Sequence, residues 1–198
     1  MAFVLSRGAR DCKEETVRMK LLIASDIHGS AHYCALLMQR VEAEAPDQIL
    51  LLGDLLYHGP RNALPEEYDC PKAYEMLNGV KERILAVRGN CDSEVDQMVL
   101  EFPIMADYAF LEVDGVKLYA THGHLWNEHC LPPMTEGTIL LNGHTHVPAC
   151  TPHGTYIYMN PGSVSIPKGG SRHSYMTLEN GLFQWKGLAG EVYREHRL

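Results

Sequence analysis

Residues 21–29 read LLIASDIHG, a short apolar run that stops at Ser25 and turns through Asp26 and His28. Apolar runs of this length, bounded by turn residues, suit buried strands whose ends present polar side chains along one edge of a sheet. Four further segments repeat the grammar. QILLLG (48–53) ends at Asp54, ILAVRG (84–89) at Asn90-Cys91-Asp92, VKLYA (116–120) at Thr121-His122-Gly123-His124, and TILLNG (138–143) at His144-Thr145-His146. If these tips meet, they supply carboxylate, carboxamide and imidazole together, a mixed oxygen and nitrogen set suited to Mn, Fe or Zn rather than Ca.

The spaces between these runs set the fold class. AHYCALLMQRVEAEA (31–45) places apolar residues at 35, 36, 37, 38 and 41 and ends before Pro46, so it is expected to be a helix. Gly59 to Pro65 forms a proline-punctuated loop, and Pro71–Lys81 is expected to be a second helix leading into ILAVRG, giving a β-α-β-α-β first half. From Phe110 the pattern changes to short strands: FLEVDG, VKLYA, TILLNG, TYIYMN, YMTLEN and LFQWKG. Asp114-Gly115 at the centre of FLEVDGVKLYA is a hairpin signal. Both halves fit an α/β sandwich of two sheets with helices outside.

At 198 residues and 45% apolar content, the sequence is long enough for a large core. Residues 19–198 are expected to form one domain, with 1–18 an N-terminal extension that contributes nothing to chemistry. The net charge of -8 disfavours a general polyanion-binding surface, so small phosphorylated substrates are expected rather than nucleic acid as a stable partner. Six cysteines at 12, 34, 70, 91, 130 and 150 form no C-x-x-C pair and are expected to be reduced thiols in the cytoplasm. No apolar run is long enough to span a membrane, and no membrane partner is expected.

Taken singly, most of the tips have ordinary explanations. An Asp at a strand end commonly caps a helix, Gly53-Asp54 is a common turn dipeptide, and Asn90 suits a position of positive φ. Gly143-His144-Thr145-His146 is harder to dismiss, because neither packing nor turn chemistry calls for two imidazoles one residue apart after a buried strand. The joint series, always following an apolar strand, points to a two-metal hydrolase.

The series Asp26-x-His28, Gly53-Asp54, Gly89-Asn90, His122 and Gly143-His144-x-His146 resembles the calcineurin-like metallophosphoesterase family over residues 20 to about 167. GDLLYHGPRNALPE, VRGNCDSEVDQ, THGH and NPGSVSIPKGG resemble its bacterial YfcE-type phosphodiesterases. The resemblance implies a four-layer α/β/β/α sandwich of two mixed β-sheets. It also implies two divalent ions, one on Asp26, His28 and His146 and the other on Asn90, His122 and His144, with Asp54 shared. Mn²⁺ is the expected metal, with Zn²⁺, Fe²⁺ or Ni²⁺ as alternatives. The implied reaction is hydrolysis of a small phosphodiester by metal-bound hydroxide, with Asp54, Asn90, Cys91 and His122 as catalytic residues and His58, Arg61, Asn62 and His124 toward the substrate.

Cys91 departs from many family members, which have His directly after the Asn. Imidazole titrates near neutrality and a free thiol near about 8.5, so diesters with good leaving groups are expected to be preferred. Asp92 is expected to cap the helix starting at Ser93-Glu94-Val95, with orientation of a ligand imidazole as the alternative. The rival readings are a non-catalytic scaffold like the retromer subunit that shares this fold, and a phosphomonoesterase. A family-like homo-oligomer, dimer or tetramer, is a further expectation.

Overall fold

The computed structural model describes residues 19–198, so the expected extension 1–18 lies outside the described residues. From the amino end, β1 (Leu21–Ala24) leads through α1 (Ala31–Glu44) to β2 (Gln48–Leu51), and α2 (Cys70–Asn78) then leads to β3 (Ile84–Ala86). This is the expected β-α-β-α-β order. Ser30 caps α1 by accepting from the Tyr33 amide, and the chain leaves that helix at Ala45 with φ 47, before Pro46. Asp69 caps α2, whose first turn holds Pro71, and Gly79 closes it earlier than Lys81; residues Lys81–Arg83 form a separate 3-10 turn.

A one-turn helix α3 (Glu94–Gln97) follows, then β4 (Ala109–Val113), β5 (Val116–Ala120), β6 (Thr138–Leu141), β7 (Ala149–Pro152) and β8 (Tyr156–Asn160). The last strands are β9 (Ser174–Glu179), β10 (Leu182–Gly187) and β11 (Val192–Arg197). The first sheet runs β11-β10-β9-β1-β2-β3 and the second β4-β5-β6-β8-β7, both mixed. Asp114 and Gly115 turn the β4–β5 hairpin with φ 49 and 82, the doubly left-handed turn that Asp-Gly favours.

Alternation along the buried strands builds the layers. Leu22, Ala24, Ile49 and Leu51 pack with Cys34, Leu37 and Val41 of α1 and Ala73 and Leu77 of α2. Their neighbours Leu21, Ile23, Leu50 and Leu52 face the second sheet, meeting Leu118, Ala120, Ile139, Leu141 and Met159. Buried on both faces, β1 and β2 read as unbroken apolar runs. The outer face of the second sheet presents Tyr119, Leu140, Tyr156 and Tyr158 to Trp126 and Met134. Both of those lie in residues 121–137, an irregular segment that occupies the fourth layer where helices were expected. The α/β sandwich of two mixed sheets flanked by helices is otherwise as the sequence implied. No helix among the described residues is long and apolar enough to cross a membrane.

Candidate metal centre

The carboxyl ends of β1, β2, β3, β5 and β6 converge on one edge of the stacked sheets. Backbone hydrogen bonds lock the tips to one another: Asp26 N donates to Gly53 O (3.1 Å), His28 N to Asp54 O (2.9 Å) and Gly143 N to His122 O (2.9 Å). The approach is so close that two glycines are mandatory. A Cβ on Gly89 would lie 2.3 Å from the Asp54 backbone nitrogen, and one on Gly143 would lie 1.9 Å from Ser25 Oγ.

Asp26, His28, Asp54, His144 and His146 all take left-handed backbone angles, with φ between 49 and 62. Each costs about 1–3 kcal/mol for a residue with a side chain, and such concentrations mark functional sites. A dense bonding network offsets the strain. The Asp26 carbonyl accepts from Ser163 Oγ (2.9 Å) and Ser165 Oγ (3.1 Å), both in the turn after β8.

The side chains gather in two groups, Asp26, His28 and His146, and Asp54, His122 and His144, and a third, His28, Asp54 and Cys91, links them. Asp54 Oδ2 lies 3.7 Å from His28 Nε2 on one side and 3.4 Å from His122 Nε2 on the other, so this carboxylate stands between the groups. Asn90 Oδ1 is 3.2 Å from His122 Nε2. The structure therefore brings all seven residues singled out in the sequence to one place.

Three imidazoles have their tautomers fixed. His28, His122 and His146 donate Nδ1–H to the carbonyls of Tyr57 (2.7 Å), Leu52 (2.6 Å) and Ile166 (2.6 Å), which turns each Nε2 lone pair into the site. His28 Nε2 and His146 Nε2 then face each other at 3.4 Å, and the buried Asp26 Oδ1 stands 3.2 Å from His146 Nε2 and 3.6 Å from His28 Nε2. Lone pairs aimed at one another in a dry interior repel unless a proton or a cation stands between them. The donor set thus fits divalent ions.

These groups shift one another's proton affinities. Burial disfavours the charged form of Asp26, but His146 and His28 outweigh it and hold the carboxyl well below its usual range. Burial likewise opposes a charged His122, yet its bonds to Asp54 and the field of Asp26 raise it to about 9. His144 is pushed down to about 4, by burial and then by the charge of His122. The Cys91 thiol is driven up to about 12 by burial and by Asp54.

A cleft of about 450 Å³ opens over the site, lined by Asp54, Gly59, Pro60, Arg61, Asn62, Asn90, Cys91, His144, Thr145, His146 and Lys168. Arg61 and Asn62 stand on its wall, with Asn62 Nδ2 also bracing the loop through His58 O (2.8 Å). His58 and His124 are not among the lining residues. His58 packs edge-on between Tyr57 and Tyr68, and His124 lies beside His122 and His144. Lys168 went unread in the sequence, although Pro167-Lys168-Gly169-Gly170 was a visible turn signal.

Asp92 also differs from expectation. Ser93 caps α3 in a capping box with Asp96, while the buried Asp92 carboxylate accepts from the amides of Asp54 (2.8 Å), Leu55 (2.9 Å) and Gly89 (2.7 Å). It clamps the turn that carries Asp54 to the turn that carries Asn90.

The profile of the calcineurin-like phosphoesterase superfamily domain matches residues 19–181, and the chain belongs to this family of hydrolases. It is 48% identical to phosphodiesterase YfcE of Escherichia coli K12 over 162 residues, 82% of this chain and 88% of that protein. The solved structure of the E. coli phosphoesterase YfcE superposes with a TM-score of 0.87 at 44% identity, covering 90% of this chain and 98% of that one. Vps29 of Entamoeba histolytica, solved with zinc, has a TM-score of 0.60 at 20% identity over 91% of this chain and 98% of its own, a likeness of fold alone.

Proposed function

We propose that the chain is a metal-dependent phosphodiesterase acting on small phosphodiesters. The observation that carries this reading is Asp54, whose Oδ2 lies within 3.7 Å of an imidazole from each of the two side-chain groups. The 48% identity to a protein named as a phosphodiesterase supports it.

Asp26, His28 and His146 would hold one divalent ion and Asn90, His122 and His144 the other, with Asp54 shared because an anionic oxygen can reach both and offset their repulsion. When bound, such a pair supplies Lewis acidity toward the phosphoryl oxygens and an activated hydroxide for in-line attack on phosphorus. Mn²⁺ is our preferred ion for this donor set. The chain's own residues orient the substrate. Arg61 offers a planar fork for a phosphoryl oxygen, and Asn62 holds the loop that presents it. We assign His58 and His124 to supporting that loop and His144.

Cys91 Sγ accepts from Asn90 Nδ2 at 3.2 Å, so the position beside Asn90 holds a thiol where an imidazole would otherwise protonate the departing oxygen. Aryl diesters should therefore outpace alkyl diesters. The free state of the five described cysteines is in keeping with a cytoplasmic location, which we also propose. Nothing beyond shared fold favours the scaffold reading.

A matrix of metal ions against an aryl diester, an aryl monoester and an alkyl diester tests the proposal. Turnover should be fastest for the aryl diester with Mn²⁺. Absence of diester hydrolysis with every ion, or a faster monoester, overturns the assignment.

A further inference from the structure

Two cations face the cleft from opposite sides of the chain's order. Arg61 belongs to the loop after β2, and Lys168 to the turn between β8 and β9, yet both line the same space above Asp54 and His146. Neither takes part in an ion pair among the described residues, as is also true of Arg40, Arg83, Arg88, Lys117, Arg194 and Arg197, but of these unpaired cations only Arg61 and Lys168 line the cleft. In a protein of net charge -8, two unpaired cations over one anion-attracting site are a local reversal of the overall field.

Lys168 is also anchored in a way that an ordinary surface lysine is not. Its amide donates to the carbonyl of His146 (3.1 Å), and its own carbonyl accepts from Ser171 N (3.1 Å) and Ser171 Oγ (2.6 Å). Ser171 Oγ reaches the His146 carbonyl as well (3.3 Å), while His146 Nδ1 holds the carbonyl of Ile166, two residues before the lysine. Gly169 and Gly170 then carry the chain away through two successive left-handed angles, φ 63 and 71. The backbone of this exposed lysine is thereby bolted to a candidate metal-holding histidine, and the residue lines the cleft with no side-chain partner of its own among the described residues.

One phosphodiester brings one negative charge, and the metal centre with Arg61 already answers it. We propose that Lys168 forms a second-anion subsite, so that the preferred substrate is a phosphodiester whose retained arm, the one that stays on the phosphate product, ends in another anionic group. This rests on the phosphodiesterase reading above.

The test compares 4-nitrophenyl 3-phosphopropyl phosphate with 4-nitrophenyl propyl phosphate, two diesters with the same leaving group, on the Mn²⁺-loaded full chain. Wild type should favour the phosphate-ended arm by about tenfold in kcat/KM, the scale of one charge-assisted contact. Lys168→Met should bring that preference to within about twofold by lowering kcat/KM for the phosphate-ended ester far more than for the propyl ester, while Lys168→Arg should preserve it. Calorimetric binding of 1,3-propanediol bisphosphate against propyl phosphate should show the same preference and the same loss. Equal handling of the two esters by wild type, or an equal fall on both in Lys168→Met, overturns the subsite and leaves the phosphodiesterase reading standing. Failure to cleave either ester overturns both.

Discussion

The two side-chain groups that meet at Asp54 are built differently. Asp26, His28 and His146 are at most 3% exposed, and both imidazoles are braced through Nδ1. In the other group only His122 is similarly fixed; His144 is half-buried and Asn90 is exposed, and both line the cleft, which the first group reaches only through the buried His146. A closed, braced donor set holds an ion by excluding water and alternative geometries, whereas an open one lets ligands exchange. The inner group should therefore retain its ion and the outer group should be the one that meets substrate.

The strongest attack on this comparison removes what the groups share. Asp54→Ala takes one anionic donor from each side, so bound metal should fall below one ion per chain and diester turnover by about a thousandfold or more. Two retained ions in a folded Asp54→Ala protein would show that the groups are independent. A finer test sets one histidine against the other. After dialysis, His144→Ala should keep about one ion per chain with turnover lowered by about a hundredfold, while His146→Ala should lose the slowly exchanging ion and the thermal stabilisation that comes with it. Equal retention in the two variants, measured by metal analysis, would erase the distinction between closed and open groups.

The same contrast explains what could be read from the sequence. The inner group was legible because LLIASDIHG joins an unbroken buried strand to two donors, and its backbone has no freedom to do otherwise. His144 and His146 were legible because two imidazoles so placed have no structural purpose. Positions set by tertiary contact were not. Asp92 looked like a cap, since its three amide partners come from turns up to 38 residues away. Lys168 owes its place to hydrogen bonds with His146 across the sheet edge. β7 is not legible because ACTP is an edge strand that is nowhere fully buried and ends in proline, and β11 because VYREHR is a charged edge strand. Residues 121–137 cover the second sheet through Trp126 and Met134 without helical periodicity, and Pro132-Pro133 interrupts any helix there.

The smallest expected effect lies within the outer group and concerns protons. In the ion-free protein, burial works against charge on both His122 and His144, but Asp54 and Asp26 reverse the outcome only for His122, raising it to about 9. Its unfolded value is near 6.5, so the proton on His122 contributes stability that is fully present below about pH 6.5 and is lost as pH rises through about 9. His28, opposed by burial but raised by Asp26, acts in the same direction above pH 6.5, whereas His144, held down near 4, changes its contribution only below about pH 6.5. Ion binding needs the neutral Nε2 lone pair, so it competes with this proton and should strengthen over the same range. Urea midpoints of chelator-treated protein should thus fall between about pH 6.5 and 9, while those at a fixed, subsaturating Mn²⁺ level should fall less or rise. Parallel curves would mean that the proton and the ion do not contend for His122, and the open group would then have to hold its metal through His144 and Asn90 alone.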